Sequence, residues 1–465
     1  MRSHAIILGG SLAGHCCARA LSRFFETITL IERDEIPSGA SFRAGVPQGR
    51  HAHVILDRGR RELERFFPGF EQRMVEKGAS VIDPGLVFAA FGGNGWSPRV
   101  PTSARNVCAS RDLTDATVRE LAASLPNVVV RQRTEVTDLR RTGRRITGVT
   151  VRSRDGGATE ELTADLVVDA SGRSSKVPAM LQRVGVAVPE ETVIDSGTWY
   201  STRWFTSEPD HALPDSCWWK AAILVPMVKS PVGALLTPVE GDRWIVSVAT
   251  IGRGQPQIDE KNFLETLRGL PSPIIAEAVG EPASPVYGSR STPNRMLHYD
   301  RLIDPVAGFV AVGDAVCALN PIQGQGVSVT AVCAHVLETA VEAEGPESST
   351  LPERFFKAQA RWLAEPWGLA TSFDLRFPAT AGKRSLAGKI VAPYMKLFVG
   401  ALRDDVSLLR HISEIGQLNL PSATLMSPSI VARVLKATVR RRLGRTTAPA
   451  EPVTGAYPPP TIVAA

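Results

Sequence analysis

The sequence predicts an α/β protein in three parts: a parallel-sheet domain, an antiparallel-sheet domain and a helical C-terminal region. Three observations predict it. An apolar run, a glycine turn and a helical stretch open the chain. Two later apolar runs end in aspartates followed by small residues, at Asp169 and Asp314. Between these two lies strand material rich in tryptophan and β-branched residues, with five of the eight tryptophans between residues 185 and 300.

The first element is a buried strand, residues 4–8, running into Gly9-Gly10-Ser11-Leu12-Ala13-Gly14. A helix follows from about His15 to Phe25, then a strand, Ile28–Ile31, ending at Glu32. This is the β-α-β unit that holds the ADP half of a dinucleotide. The helix N-terminus offers free amides and a partial positive charge to the pyrophosphate. Ser11 stands where the middle glycine of the fingerprint belongs; it is small, and its hydroxyl can donate to a phosphate. Glu32, 18 residues past Gly14, can accept both ribose hydroxyls and would repel a 2′-phosphate, which excludes NADP as the tightly bound cofactor. The expected contacts of this half are Gly9, Gly10, Ser11, Ala13, Gly14, Glu32 and Arg33.

Two distant segments extend the pattern. One is a strand ending in Asp169, followed by the small-residue turn Ala170-Ser171-Gly172. The other is the strand before Gly313-Asp314-Ala315, then the loop Pro321-Ile322-Gln323-Gly324-Gln325-Gly326, which opens a helix near Val327.

In these blocks the sequence resembles the p-hydroxybenzoate hydroxylase class of flavoprotein monooxygenases. The resemblance covers roughly residues 1–345 and implies a Rossmann-like FAD-binding domain, with non-covalent FAD. It puts Asp169 and Gly172 near the pyrophosphate, Asp314 on the ribityl chain, and Pro321, Gly324 and Gly326 beside the reduced flavin. Arg111, opening a helix after Ser110, would meet the ribityl–phosphate region. Val136 completes the expected cofactor contacts. Two departures stand out: Asp169-Ala170-Ser171-Gly172 replaces a simple Asp-Gly, and Cys317 stands where histidine is common.

Within that class the loop Arg43–His53 resembles that of actinomycete polyether epoxidases of the monensin and lasalocid type. So do Asp195-Ser196-Gly197, residues 242–246, residues 289–295, and Gly313–Val316 with Asn320-Pro321. The flavin-dependent decalin-forming cyclases share this similarity. It implies that Arg43 and Gln48 lie near the flavin ring, and it makes Arg43 and Asp374 the catalytic candidates. The expected activity is epoxidation or hydroxylation of a large apolar, polyketide-like substrate through a flavin C4a-hydroperoxide, with NAD(P)H as transient reductant. The alternatives are a [4+2] cyclase that keeps FAD as a structural element, and a flavin-dependent alkene reductase. The absence of a W-x-W-x-I-P segment argues against a flavin halogenase.

The expected FAD-binding domain comprises residues 1–80, 100–184 and 285–345; residues 81–99 and 185–284 form the substrate-covering sheet. Residues 346–445 read as helices broken at Pro366, Pro378, Pro393, Pro421 and Pro428, ending in a basic amphipathic stretch from Ile430 to Arg445. The proline-rich residues 446–465 read as a disordered tail.

Composition excludes other classes. Six cysteines without C-x-x-C spacing argue against a zinc site and a secreted disulfide framework, and fit a reducing cytoplasm. His51 and His53 lack an evident third ligand, so no metal is expected. The net charge of +6 follows no aromatic-rich face, which disfavours nucleic acid. No window of about 18 uncharged apolar residues suggests a membrane span, and the N-terminus does not read as a signal peptide.

Overall fold

The computed structural model describes residues 3–206, 217–255, 257–290, 293–383, 386–402, 404–443 and 455–463. A five-stranded parallel sheet forms the first layer, in the order Phe309–Ala311, Leu166–Asp169, His4–Leu8, Thr27–Ile31, Val128–Arg131. Its central strands are continuous apolar runs because both faces are covered. Ile6, Ile7, Ile28, Val167 and Val310 are all fully buried. The helix Leu12–Leu21 covers one face, starting three residues earlier than the sequence suggests. It packs on the long helix Gly326–Glu344, which also meets Asp57–Phe66 and Leu351–Asp374. Gly326–Glu344 is long and apolar enough to cross a membrane, yet its apolar side chains Val329, Val332 and Leu337 are core residues of this domain.

The second domain is a seven-stranded sheet: Tyr287–Arg290, Trp199–Thr206, Arg243–Thr250, Val232–Val239, Ala221–Leu224, Phe88–Gly92, Gly95–Trp96. Strand Tyr287–Arg290 carries this domain past the expected limit at residue 284. The expected strand at 218–225 shortens to Ala221–Leu224. Phe205, Trp219, Trp244 and Val246 form a core with the short helices Phe263–Arg268 and Ile274–Ala278. Trp219 and Trp244 are therefore core residues of the sheet domain.

The C-terminal part contains the helices Leu351–Asp374, Leu386–Ala401, Val406–Gly416 and Pro428–Arg442. Two of the expected proline breaks are absent, since Pro366 and Pro393 lie inside helices. An interior proline costs roughly 3 kcal/mol. Leu351–Asp374 buries Phe355, Phe356, Leu363 and Phe373 along its length, which offsets that cost.

Of the expected disordered tail, residues 446–454 and 464–465 lie outside the described residues, while 455–463 need correction. Residues 455–463 lie along the sheet domain: the indole of Trp96 donates to Gly455 O at 2.7 Å, and Tyr457 Oη donates to Glu277 at 2.9 Å. Ile462 bridges to Arg99, whose guanidinium donates to Pro460 O. Prolines lack an N–H, so a proline-rich segment is satisfied by outside donors to its carbonyls, and the sheet domain supplies them.

Candidate functional site

The parallel sheet lines up the motif strands at their carboxyl ends. Ile31 is the register partner of Leu8, Leu8 of Asp169, and Asp169 of Ala311. Gly9, Glu32, Ala170 and Val312 leave the sheet one residue later, side by side. This is the edge where open α/β sheets bind ligands.

The first turn is tight. Gly9 has φ +106°, and a Cβ there would stand 2.6 Å from Ala170 O. A Cβ on Gly14 would fall 1.9 Å from Gly9 O, so strand and helix meet only through glycine. Ser11 is the N-cap residue of Leu12–Leu21, yet its side chain caps no amide. Its Oγ instead accepts from Arg111 Nη2 at 3.1 Å, while Arg111 Nε bonds Asp115 at 2.8 Å. Open helix amides and a held guanidinium form the positive patch a pyrophosphate needs.

Glu32 is buried and tied on every side. Its Oε2 accepts from Gly10 N at 2.8 Å and pairs with Arg43 Nη1 at 2.9 Å, and its Oε1 accepts from Asp34 N at 3.0 Å. Arg43 therefore lies at the Glu32 end of the fingerprint. A cavity of about 690 Å³ adjoins this pair, lined by Arg33, Asp34, Phe42, Arg43, Arg133 and Arg154. Gln48 is exposed on the turn Pro47–Arg50 and makes no side-chain hydrogen bond among the described residues.

Asp169 is fully buried and faces its own turn, accepting from Ser171 N, Ser171 Oγ and Ser175 Oγ at 3.0, 2.5 and 2.6 Å. It shapes the turn in which Gly172 adopts φ +80°, and its carboxylate is already filled by these donors. Val136 packs against the core in the strand Thr134–Thr142, whose first N–H donates to Glu32 O.

Asp314 differs. Its carboxylate accepts no hydrogen bond from the described residues, and burial holds its carboxyl above the usual range while Arg173, Arg111 and Arg295 pull the other way. It follows Gly313, at φ +58°. The loop Pro321–Gly326 runs to the helix Gly326–Glu344, with Gly324 at φ +66°. A Cβ on Gly326 would meet nothing within 4 Å.

Beneath this loop lies a polar cluster that the sequence did not reveal. Asn320 N donates to Asn294 Oδ1 at 2.8 Å, and Asn320 Nδ2 reaches Asp374 Oδ1 at 3.1 Å and Thr198 Oγ1 at 3.2 Å. Tyr200 Oη donates to Asn320 Oδ1. Asp374, the last residue of its helix, also accepts from Asn294 Nδ2 at 2.7 Å. Asp374 is 1 % exposed, and burial pushes its carboxyl up. It is a partner of the loop's anchor, rather than an acid presented to a cavity.

The remaining candidates are structural. His51 Nδ1 bonds Thr202 Oγ1 at 2.7 Å, and burial lowers the pKa of both His51 and His53 to about 4. No group of metal-ligating side chains occurs among the described residues. The six cysteines are free, and five of them are buried.

An acid at one strand end, open helix amides with Arg111 in the middle, and an unpartnered carboxylate at Asp314 fit a flavin dinucleotide. The fold is the FAD-binding α/β fold of the p-hydroxybenzoate hydroxylase type. Residues 5–185 match the family described as FAD dependent oxidoreductase. The chain is 28% identical to Protein Rv3254 of Mycobacterium tuberculosis (strain ATCC 25618 / H37Rv) over 452 residues, 92% of this chain and 93% of that one. Among solved structures it is similar to the p-nitrophenol 4-monooxygenase PnpA from Pseudomonas putida DLL-E4 (TM-score 0.63, 17% identity, covering 90% and 98% of the two chains). It is similar to the flavin-dependent brominase Bmp2 (0.65, 17%, 94% and 100%). It is also similar to the Diels-Alderase PyrE3 of the pyrroindomycin pathway (0.62, 19%, 90% and 80%).

Proposed function

We propose that the protein is an FAD-dependent monooxygenase that inserts one oxygen atom, as an epoxide or a hydroxyl, into a large apolar, polyketide-like molecule. The observation that carries this reading is the register line Ile31–Leu8–Asp169–Ala311, which sets Glu32, the glycine turn and the Asp314 strand along one sheet edge. FAD bound there, reduced by transient NAD(P)H, would supply oxygen activation.

The chain's own residues bind and orient. Glu32 would take the adenosine ribose, and the amides after Ser11, with Arg111, would take the pyrophosphate. Asp314 would accept from the ribityl hydroxyls. The amides at the start of Gly326–Glu344 would face the ring edge, where negative charge develops on reduction. Asn320, held by Asn294, Tyr200 and Asp374, fixes the loop that carries those amides.

A second reading is a cyclase that holds FAD without net redox chemistry. It is favoured by identity to the Diels-Alderase PyrE3, 19%, that is no lower than the 17% to PnpA. The likeness to a brominase brings no halogenation reading with it, because the chain has no W-x-W-x-I-P segment. One experiment separates the readings. A linear polyene is incubated with holoprotein, with and without O₂ and NAD(P)H, and product mass is followed. Gain of one oxygen atom that requires both O₂ and reductant supports the monooxygenase. Conversion to an isomer of unchanged mass without either supports the cyclase, and gain of two hydrogens without O₂ a reductase.

A further inference from the structure

The helix Pro428–Arg442 has two apolar faces. Ile430, Val434 and Ala437 recur at helical spacing and are buried in one core with Phe398, Leu408 and Ile415. That contact accounts for the amphipathic pattern seen in the sequence. The opposite face is not the polar surface expected of a helix at the rim of a domain. Leu435 and Val439 stand four residues apart, and Leu443 follows four later at the helix's C-cap; they are 52%, 54% and 60% exposed.

Cations border this stripe. At about 100° per residue, Lys436 and Arg440 fall on one side of it and Arg442 on the other. All three are exposed and make no ion pair among the described residues. Arg433 and Arg441 are used internally, against Asp405 and Asp404. The helix carries no acidic residue.

An exposed apolar stripe between unpaired cations is the layout of helices that lie in the interfacial plane of a bilayer. We propose that this face docks the protein on an anionic membrane surface. Leu435, Val439 and Leu443 enter the acyl boundary, and Lys436, Arg440 and Arg442 meet lipid phosphates. Charge decides the occupant. A two-fold contact between two copies would bring each cation row close to its own kind, which costs affinity. A nucleic-acid backbone would use the cations and leave three branched apolar side chains in water. The proposed attachment is peripheral: the one described helix both long and apolar enough to span, Gly326–Glu344, is packed in the core.

The test uses the full-length protein and co-sedimentation with vesicles. The protein is expected to bind phosphatidylcholine–phosphatidylglycerol vesicles, to bind pure phosphatidylcholine far less, and to dissociate as salt rises. Each cation at an anionic surface contributes roughly fivefold. Lys436→Gln/Arg440→Gln/Arg442→Gln should therefore weaken binding on the order of a hundredfold. Leu435→Gln/Val439→Gln/Leu443→Gln should weaken it at least as much. All six side chains are exposed, and a thermal melt checks that both variants keep the wild-type fold. Failure of the wild type to sediment with anionic vesicles overturns the proposal, as does binding that neither variant changes. A concentration-dependent dimer broken by the apolar variant would assign the face to a second copy. Tighter binding to random-sequence RNA than to vesicles would assign it to nucleic acid.

Discussion

Arg43 and Glu32 form an ion pair in which both side chains are 8 % exposed, with Nη1 2.9 Å from Oε2. The same carboxylate holds Gly10 N and Asp34 N. One acid thus joins the glycine turn, the end of its own strand and the following loop.

Glu32→Ala should lower FAD affinity roughly ten- to a hundredfold, the loss of a charge-assisted hydrogen bond. It should also lower the melting temperature of the FAD-free protein, because Arg43 is left as a buried charge without its partner. Adding Arg43→Met should recover much of the melting temperature and none of the affinity. Flavin fluorescence titration and thermal melts read the two effects separately. Unchanged affinity in Glu32→Ala would remove Glu32 from the ribose site.

Two glycines separate packing from cofactor space. Gly14→Ala puts a Cβ 1.9 Å from Gly9 O, so backbone must move, and soluble protein should be largely lost. Gly326→Ala meets no atom within 4 Å, so the melting temperature of the FAD-free protein should stay unchanged. If the flavin ring edge lies over Gly326, the same variant should weaken FAD binding. Wild-type affinity in Gly326→Ala would mean that the open space there is not cofactor space.

The strand–turn–helix–strand at the N-terminus was legible because it is local: every determinant lies between His4 and Glu32. The sheet order was legible in part, because the Asp169 and Asp314 runs are apolar enough to need two covered faces. The partner of Arg43 was not legible, since loop residue types do not say which buried acid they reach. Asn320 was missed for the same reason, its contacts coming from Ser196, Thr198, Tyr200, Asn294 and Asp374 in separate segments. The tail was misread because proline and low charge suggest disorder, and the donors that hold it, Trp96 and Arg99, lie more than 300 residues away.

Asp112 supplies a pH dependence. It lies in the first turn of Arg111–Ala122, and burial, then Asp115 and Glu240, push its carboxyl up to about 6. A pKa raised on folding means the folded state binds the proton more tightly. Its contribution to stability is fully present below about pH 4, the unfolded value, and is lost as pH rises through the folded value. Asp112→Asn should therefore raise the melting temperature relative to wild type at pH 7 more than at about pH 4. Melts across this range test it, and a difference independent of pH would show that Asp112 titrates normally.

Asn320 and Asp374 decide whether the buried cluster positions the flavin loop or takes part in the chemistry. Asn320 sits immediately before Pro321 and uses its N–H, its Nδ2 and its Oδ1 at once, toward Asn294, Asp374 and Tyr200. Removing the side chain in Asn320→Ala takes away the acceptor of the Tyr200 hydroxyl and one of the three side chains that donate to Asp374, each buried hydrogen bond lost costing about 1–3 kcal/mol. The loop Pro321–Gly326 should then loosen. Faster FAD dissociation and a weaker visible circular dichroism of the bound flavin are the expected readouts. Asp374→Asn is the finer test. Burial already favours the neutral carboxyl, and an amide keeps its shape and an acceptor for Asn294 Nδ2. If Asp374 only positions, this variant should hold FAD as the wild type does and keep most of its turnover, with an unaltered pH profile. A variant that binds FAD normally, shows the wild-type dichroism and still loses turnover by a hundredfold or more would instead make Asp374 a proton-transferring group. The positioning role assigned to it from its contacts would then be wrong.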